Sequence, residues 1–335
     1  MSDEKIKNIT IADIAADLGV SKTTVSRAMS GKGRIGQKTR NNVLEYIKLH
    51  DYKPNIVAKG LAQSRTYNIG VVMPVDYNMM DLTFFQECLL GIEEIAGLME
   101  YDILLAYNKD NDISSLERIV NNGKVDGVIL MRTFINDPQI EFLKQKNIKF
   151  VTVGSSNYTG VIQIDHDHKN ACKELTSVVL MKCSGKVALL GGDMNHVVSQ
   201  NRLKGFYEGY ETVGKSADMN LVDINIENNI MLDKKVEEAL EQNAECILCM
   251  DDAICVRVLN KLHDVHKKVP KDVKVASFYN GIMLENHVPS ITSLSFNTKE
   301  LGIVTGRTII DMIEGKSVAQ KTLLPYEIVL KESTK

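Results

Sequence analysis

Along the chain, apolar residues follow two different periods. Between Thr10 and His50 they recur three and four positions apart: Ile11, Ile14, Ala15 and Leu18, then Val25 and Met29, then Val43, Leu44 and Ile47. That is the period of helices with one buried face. Thr10 followed by Asp13 is a helix-start pattern, Gly19 is a stop that tolerates positive φ, and Ser21 is a second cap. The spacing predicts two short helices joined by a tight turn, a helix-turn-helix, and a third helix from about Gln37 to His50. After Tyr67 the pattern becomes near-continuous Val/Ile/Leu runs: "NIGVVMP", "YDILLAYN", "VDGVILMR" and "IKFVTVG". Helical segments such as "FFQECLLGIEEIAGLM" separate them, and a second set follows with "KVALLGGD", "CILCMDD" and "VKVASFYN". Such strands alternating with helices predict parallel sheets covered on both faces. The expected class is α/β: a three-helix DNA-binding type unit, then two doubly wound lobes.

Residues 55–62 have length for two turns of helix, yet Gly60 weakens it and no partner surface lies nearby in sequence. This stretch is expected to fold only when paired or bound. The expected division is therefore 1–54, a hinge at 55–66 and a body at 67–335. Within the body, one lobe takes about 67–165 and 297–322, the other about 166–296 and 323–335.

Length, 335 residues, allows two or three domains, and 44% hydrophobic residues suffice for their cores. No apolar run is long enough for a membrane span, and the charged start "MSDEKIKNIT" lacks a secretory apolar region. A cytoplasmic protein without a membrane partner is expected. Charge is uneven. Residues 1–65 hold twelve Lys/Arg and six Asp/Glu, a net of +6, so the other 270 residues carry −9 of a total of −3. A basic end on an acidic body points to one segment meeting a polyanion.

The stretch "TTVSRAMSGKGRIG" contains G-x-G-x-x-G at Gly31, Gly33 and Gly36, the spacing of a dinucleotide loop. Such a loop must follow a buried strand. Here a polar, basic helix precedes it, so the glycines read as an interhelical loop whose Lys32 and Arg34 can reach phosphate. In a helix-turn-helix the second helix enters the major groove. Lys22, Thr23 and Arg27 would face bases, and Ser21, Thr24 and Ser26 would lie nearer phosphates.

Other clusters carry less. Cys246 and Cys249 form C-x-x-C inside a strand-like run, where residues three apart point to opposite faces, so all six cysteines are expected to be structural thiols. "IDHDHKNAC" alternates Asp165, His166, Asp167 and His168, and Asp167 is read as a crossover cap or effector contact rather than part of a metal site. "LLGGDMNH" lacks the P-loop pattern. No cofactor, metal or catalytic group is expected.

The segments "ITIADIAADLGVSKTTVSRAMSGKGRI" and "YKPNIVAKGLAQSRTYNIGVVMP" resemble the headpiece and hinge of the LacI/GalR family of bacterial transcription regulators. The likeness continues through "RLKGFYEGY", "KVPKDVKVASF" and "LPYEIVLKEST" over nearly the whole chain. It implies a homodimer on a palindromic operator, with hinge helices in the minor groove. Leu61 matches the family's intercalating leucine, and Asn55, Ala58 and Lys59 match hinge positions that pack and contact the backbone. Ser30 and Gly36 depart from the family's usual Asn and Ser. The resemblance also implies a body like that of periplasmic sugar-binding proteins. The end "KESTK" has no leucine heptad, which fits a dimer rather than a tetramer.

Ligands of open parallel sheets bind beyond the strand C-termini. That rule nominates Asp76, Phe84, Phe85 and Arg132 in the first lobe, with Asn108 after the second strand. In the second lobe Arg202 matches an effector-binding arginine of the family, Asp251 stands where relatives often carry Asn, and Tyr279 where many carry Asp. Ile224 lies near a position where they often have an aromatic platform. With Asp167 these form the expected effector site, most simply for a sugar or sugar derivative that controls a repressor of carbohydrate-utilisation genes. The alternative is a corepressor-dependent regulator responding to a purine or other non-sugar metabolite.

Overall fold

The Thr10 hydroxyl accepts a hydrogen bond from the Asp13 amide, while the Asp13 carboxylate accepts one from the Thr10 amide at 2.8 Å. This reciprocal cap opens α1 (Ile11–Asp17) in the computed structural model, which describes residues 9–31, 33–52, 60–61, 63–75, 81–109 and 112–335. Ser21 caps α2 (Lys22–Ser30), and Gly31 ends it in the left-handed region at φ 69°. Gly36 precedes α3 (Gln37–Leu49). Ile14, Ala15, Val25, Ala28 and Val43 are buried together, with Met29 and Ile47 partly buried around them. Leu44, expected in this core, is 43% exposed. Val43 and Ile47, four residues apart, supply the face of α3 that meets α1 and α2.

Residues up to Thr66 form one compact unit and Tyr67–Lys335 another. In the second unit the chain first lays down β1 (Asn68–Pro74), α4 (Asp81–Leu98), β2 (Asp102–Asn108), α5 (Ser114–Asn121), β3 (Gly127–Leu130), α6 (Pro138–Gln145), β4 (Phe150–Val153) and β5 (Ile162–His166). It then crosses to α7 (His168–Lys182), β6 (Lys186–Leu190), α8 (Val197–Thr212), β7 (Val222–Asp223), α9 (Asn229–Glu241) and β8 (Ala244–Cys249). The same lobe continues with α10 (Asp252–Asp264), β9 (Lys274–Ser277), α11 (Ile282–Glu285) and β10 (Thr292–Phe296). α12 (Thr298–Ile313) and β11 (Lys321–Leu324) return to the first lobe, and β12 (Tyr326–Val329) ends in the second.

Each lobe holds a six-stranded sheet, ordered β11-β5-β4-β3-β1-β2 and β12-β10-β9-β8-β6-β7. The first is parallel throughout; in the second, β12 runs antiparallel to β10. That edge strand departs from the all-parallel expectation, because a single residue links β11, parallel in the first sheet, to β12 of the second, so the chain enters the second sheet from the end where its parallel strands finish. Apolar clusters cover both faces of each sheet. Cys246 packs into one of them and Cys249 into another, the opposite-face geometry expected of i, i+3 on a strand.

α4 and α12 approach through glycines. A Cβ on Gly302 would stand 2.0 Å from the Cys88 carbonyl oxygen, and one on Gly91 would stand 2.1 Å from that of Lys299. Among the described residues no helix is long and apolar enough to cross a membrane.

Candidate functional site

On α2, packing of Val25 and Ala28 leaves Lys22, Thr23, Ser26 and Arg27 on the exposed side. Ser21 and Thr24 are tied to each other through their hydroxyls at 2.9 Å, and the Ser21 hydroxyl accepts from the Thr24 amide. Arg34 is exposed in the following loop. Gly33, at φ +89°, lets Arg27 lie across that loop: a Cβ there would be 2.9 Å from Arg27 Cδ. Arg40 of α3 donates to the Gly31 carbonyl at 3.1 Å, fixing the loop that the dinucleotide reading would have needed for phosphate. Leu61 is 85% exposed. The expected contacts Lys32, Asn55, Ala58 and Lys59, and Asp76 of the effector site, lie outside the described residues.

The second site is a cavity of about 240 Å³ between the lobes of the body. In both sheets the strand order reverses beside the first strand, at β1/β3 and at β6/β8, and ligands of doubly wound sheets bind at that reversal. The cavity wall follows this rule. Arg132 comes after β3, Asp251 and Asp252 after β8, and Tyr279 after β9, while Phe84 and Phe85 come from α4. Arg202 reaches in from α8 and donates from Nη1 to the Met250 carbonyl at 2.7 Å.

Asp251 is the N-cap of α10, accepting from the Ile254 amide at 2.8 Å. Burial raises its pKa, against the opposing pull of that amide and of Arg202. Tyr279 stacks on Phe296 at 6.0 Å and 15°, meets the edge of Phe84 at 6.1 Å and has its phenol pushed up to about 12 by burial. Arg132 lies over the Phe85 ring at 5.6 Å.

Six of the eight effector residues nominated from sequence therefore meet at one cavity: Phe84, Phe85, Arg132, Arg202, Asp251 and Tyr279. Asp167 does not line it. Its carboxylate caps α7, accepting from the Asn170 amide at 3.2 Å and side chain at 2.6 Å, because the chain turns there from β5 into the helix. Asn108 is buried inside the first lobe and bonded to Gln139, and Ile224 packs in an apolar cluster of the second.

Asp165, His166, His168 and Phe296 line the cavity and were missed. Asp165 accepts from the Ser155 amide and hydroxyl at 2.7 and 2.8 Å, and burial lifts its pKa to about 6. Burial pushes His166 down to about 4 and His168 well below its usual value. The alternation "IDHDH" was the available signal, but the bend at Asp167 changes which of its residues face the cleft. Among the described residues no cluster of three or more potential ligands could hold a metal ion.

Residues 10–55 match the family "Bacterial regulatory proteins, lacI family", and residues 185–334 match "Periplasmic binding protein-like domain". The chain belongs to the lacI family. This LacI-family protein is a DNA-binding transcriptional regulator and not an enzyme. It is 29% identical over 341 residues to the HTH-type transcriptional regulator RegA of Clostridium saccharobutylicum, covering 97% of this chain and 99% of that one. To catabolite control protein A of Staphylococcus aureus (strain Mu50) it is 27% identical over 332 residues, covering 98% and 99%. A solved lac repressor dimer bound to operator and the anti-inducer ONPF has the same fold, with a TM-score of 0.79 at 19% identity, covering 98% and 99%.

Proposed function

We propose that this LacI-family regulator is an effector-controlled repressor of carbohydrate-utilisation genes, binding a palindromic operator as a homodimer. The observation that carries the reading is the interlobe cavity, where Arg202, Asp251 and the stacked Tyr279–Phe296 pair converge from separate elements. Planar polar groups beside an aromatic face suit a polyhydroxylated ring. Support comes also from the exposed polar row of α2 and from relatives: one solved structure with the same fold is a cellobiose complex and another a lac repressor dimer on operator.

Ser21, Lys22, Thr23, Thr24, Ser26, Arg27, Lys32 and Arg34 are assigned to DNA from the helix-turn-helix and the loop that follows it; Asn55, Ala58, Lys59 and Leu61 are assigned from the resemblance of the hinge segment alone, since the family match ends at residue 55. An effector that prefers one lobe arrangement would change how favourably the paired hinges engage DNA, a coupling between two sites. The stacked aromatic pair favours one second reading, a planar corepressor such as a nucleobase.

The test is fluorescence anisotropy on a duplex selected from a random pool. A palindrome should be selected and bound about a thousandfold more tightly than random DNA, with affinity falling steeply as salt rises. Sugars should weaken that binding, and Arg202→Ala should abolish the response; strengthening by a nucleobase would establish the corepressor reading. Equal affinity for selected and random DNA at physiological salt would sink the proposal.

A further inference from the structure

Gly31 and Gly33 both lie in the loop after α2 at positive φ, 69° and 89°. They differ in what surrounds them. A Cβ added to Gly31 would meet nothing within 4 Å, so a turn alone accounts for that glycine. One added to Gly33 would stand 2.9, 3.1 and 3.2 Å from Cδ, Nε and Cγ of Arg27. The space of a side chain at Gly33 is taken by consecutive atoms of an arginine in the last turn of α2.

The loop is itself held. Arg40 of α3 donates from Nη2 to the Gly31 carbonyl at 3.1 Å, and Ile35 packs against the small core of the three helices. Gly33 lies between these two anchors, so the stem of Arg27 rests on a fixed surface. Its head is free by contrast. Among the described residues no hydrogen bond or ion pair engages the Arg27 guanidinium, and the residue is exposed.

A held stem with a free head suits recognition. The guanidinium keeps its five donors, and their fork matches O6 and N7 of guanine. A long side chain gives up rotamer freedom when it docks, and a stem already seated has given up part of it beforehand. Any residue other than glycine at position 33 would displace that stem as well as strain the loop.

We propose that Gly33 is a positioning residue for operator recognition: lacking a Cβ, it lets the loop seat Arg27 in the pose that reads a guanine. This rests on the assignment of Arg27 to DNA made above.

Fluorescence anisotropy of the full chain tests it. The probes are the duplex selected from a random pool, random DNA, and duplexes in which each G·C pair of the half-site is changed to A·T in both half-sites. Arg27→Ala should lose discrimination at one position, which marks the guanine that Arg27 reads. Gly33→Ala should weaken binding to the selected duplex about tenfold and lose discrimination at that same position, with binding to random DNA unchanged. Gly31→Ala puts comparable strain into the same loop without meeting Arg27, and should keep that discrimination. In an Arg27→Ala background, Gly33→Ala should change operator binding no further. Circular-dichroism melts confirm the fold of each variant. If Gly33→Ala fails to fold, the Nε–H 15N relaxation of the unaltered chain decides instead: Arg27 should be nearly as ordered as the backbone of α2, and Arg34 should not. Intact discrimination in folded Gly33→Ala, equal loss in Gly31→Ala, an undiminished effect without Arg27, or an Arg27 as mobile as Arg34 overturns this inference alone. If Arg27→Ala costs no discrimination at any position, the assignment of Arg27 to a base falls and this inference with it. If no duplex is selected, the operator reading falls with both.

Discussion

His166 and His168 both pack against the Phe296 ring, each with centroids 4.8 Å from it. In that surrounding a charged imidazole is poorly solvated, and burial lowers the His166 pKa from 6.5 to about 4. Above the unfolded value the ring is neutral in both states and its stabilisation is whole. As pH falls through the interval down to about 4, the unfolded chain takes the proton first and stability is lost. Asp165 works the other way, since its carboxyl is raised from 3.8 to about 6 and its protonation favours the fold. A comparison with His166→Gln cancels Asp165. Between about pH 7 and about pH 4.5 the unaltered protein should lose about 2 kcal/mol relative to the variant in urea unfolding. Parallel pH profiles would show that His166 is not held neutral. None of this was legible in "IDHDH", because burial by Phe296, 128 positions away for His168, is a tertiary fact.

The elements themselves were largely legible where capping and period agree. Thr10 with Asp13, and Ser21 before Lys22, start helices where their side chains say they should. The seven strands read from apolar runs all exist, whereas β5, β7, β10, β11 and β12 were not read: β7 is two residues long, and Gln163, Asp165, Ser293, Ser295, Lys321 and Glu327 interrupt the apolar character of the others. Close packing between elements was invisible too. Gly302 looks like a weak point inside an apolar helix pattern, yet it allows α12 to meet α4 at the Cys88 carbonyl. Gly302→Ala should destabilise the body by about 1–3 kcal/mol, as overpacking does, despite the better helix propensity of alanine. A thermal melt checks the sign; a rise in Tm would mean that the helices separate at no cost.

Between the lobes, a short antiparallel bridge joins Phe134 to His196, with Ile135 N–H donating to the Asn195 carbonyl at 3.0 Å and Val197 N–H to the Thr133 carbonyl at 3.3 Å. These bonds hold the two walls of the cavity together. Val197 is the first residue of α8, where proline is compatible with the helix, so Val197→Pro removes the interlobe bond and spares the α8 hydrogen-bond ladder. One hydrogen bond is worth about 1 kcal/mol, so the closed arrangement should become about fivefold less favoured. Effector affinity should drop by that factor, and the scattering radius of the body should grow; an unchanged affinity would show that the bridge is incidental. Local information was enough for the sequence to determine the helix-turn-helix, the alternation of strands and helices, and the residue types that end the strands. Caps, periods and strand termini are written in neighbouring residues. Only the tertiary structure decided that Asp167, read as a cap or an effector contact, stays a cap away from the cleft while His166 and His168 line it, that Tyr279 stacks on Phe296, and that the lobes are bridged at Phe134 and His196. Those outcomes depend on desolvation and contact between segments far apart in the chain, and no short window of sequence contains both partners.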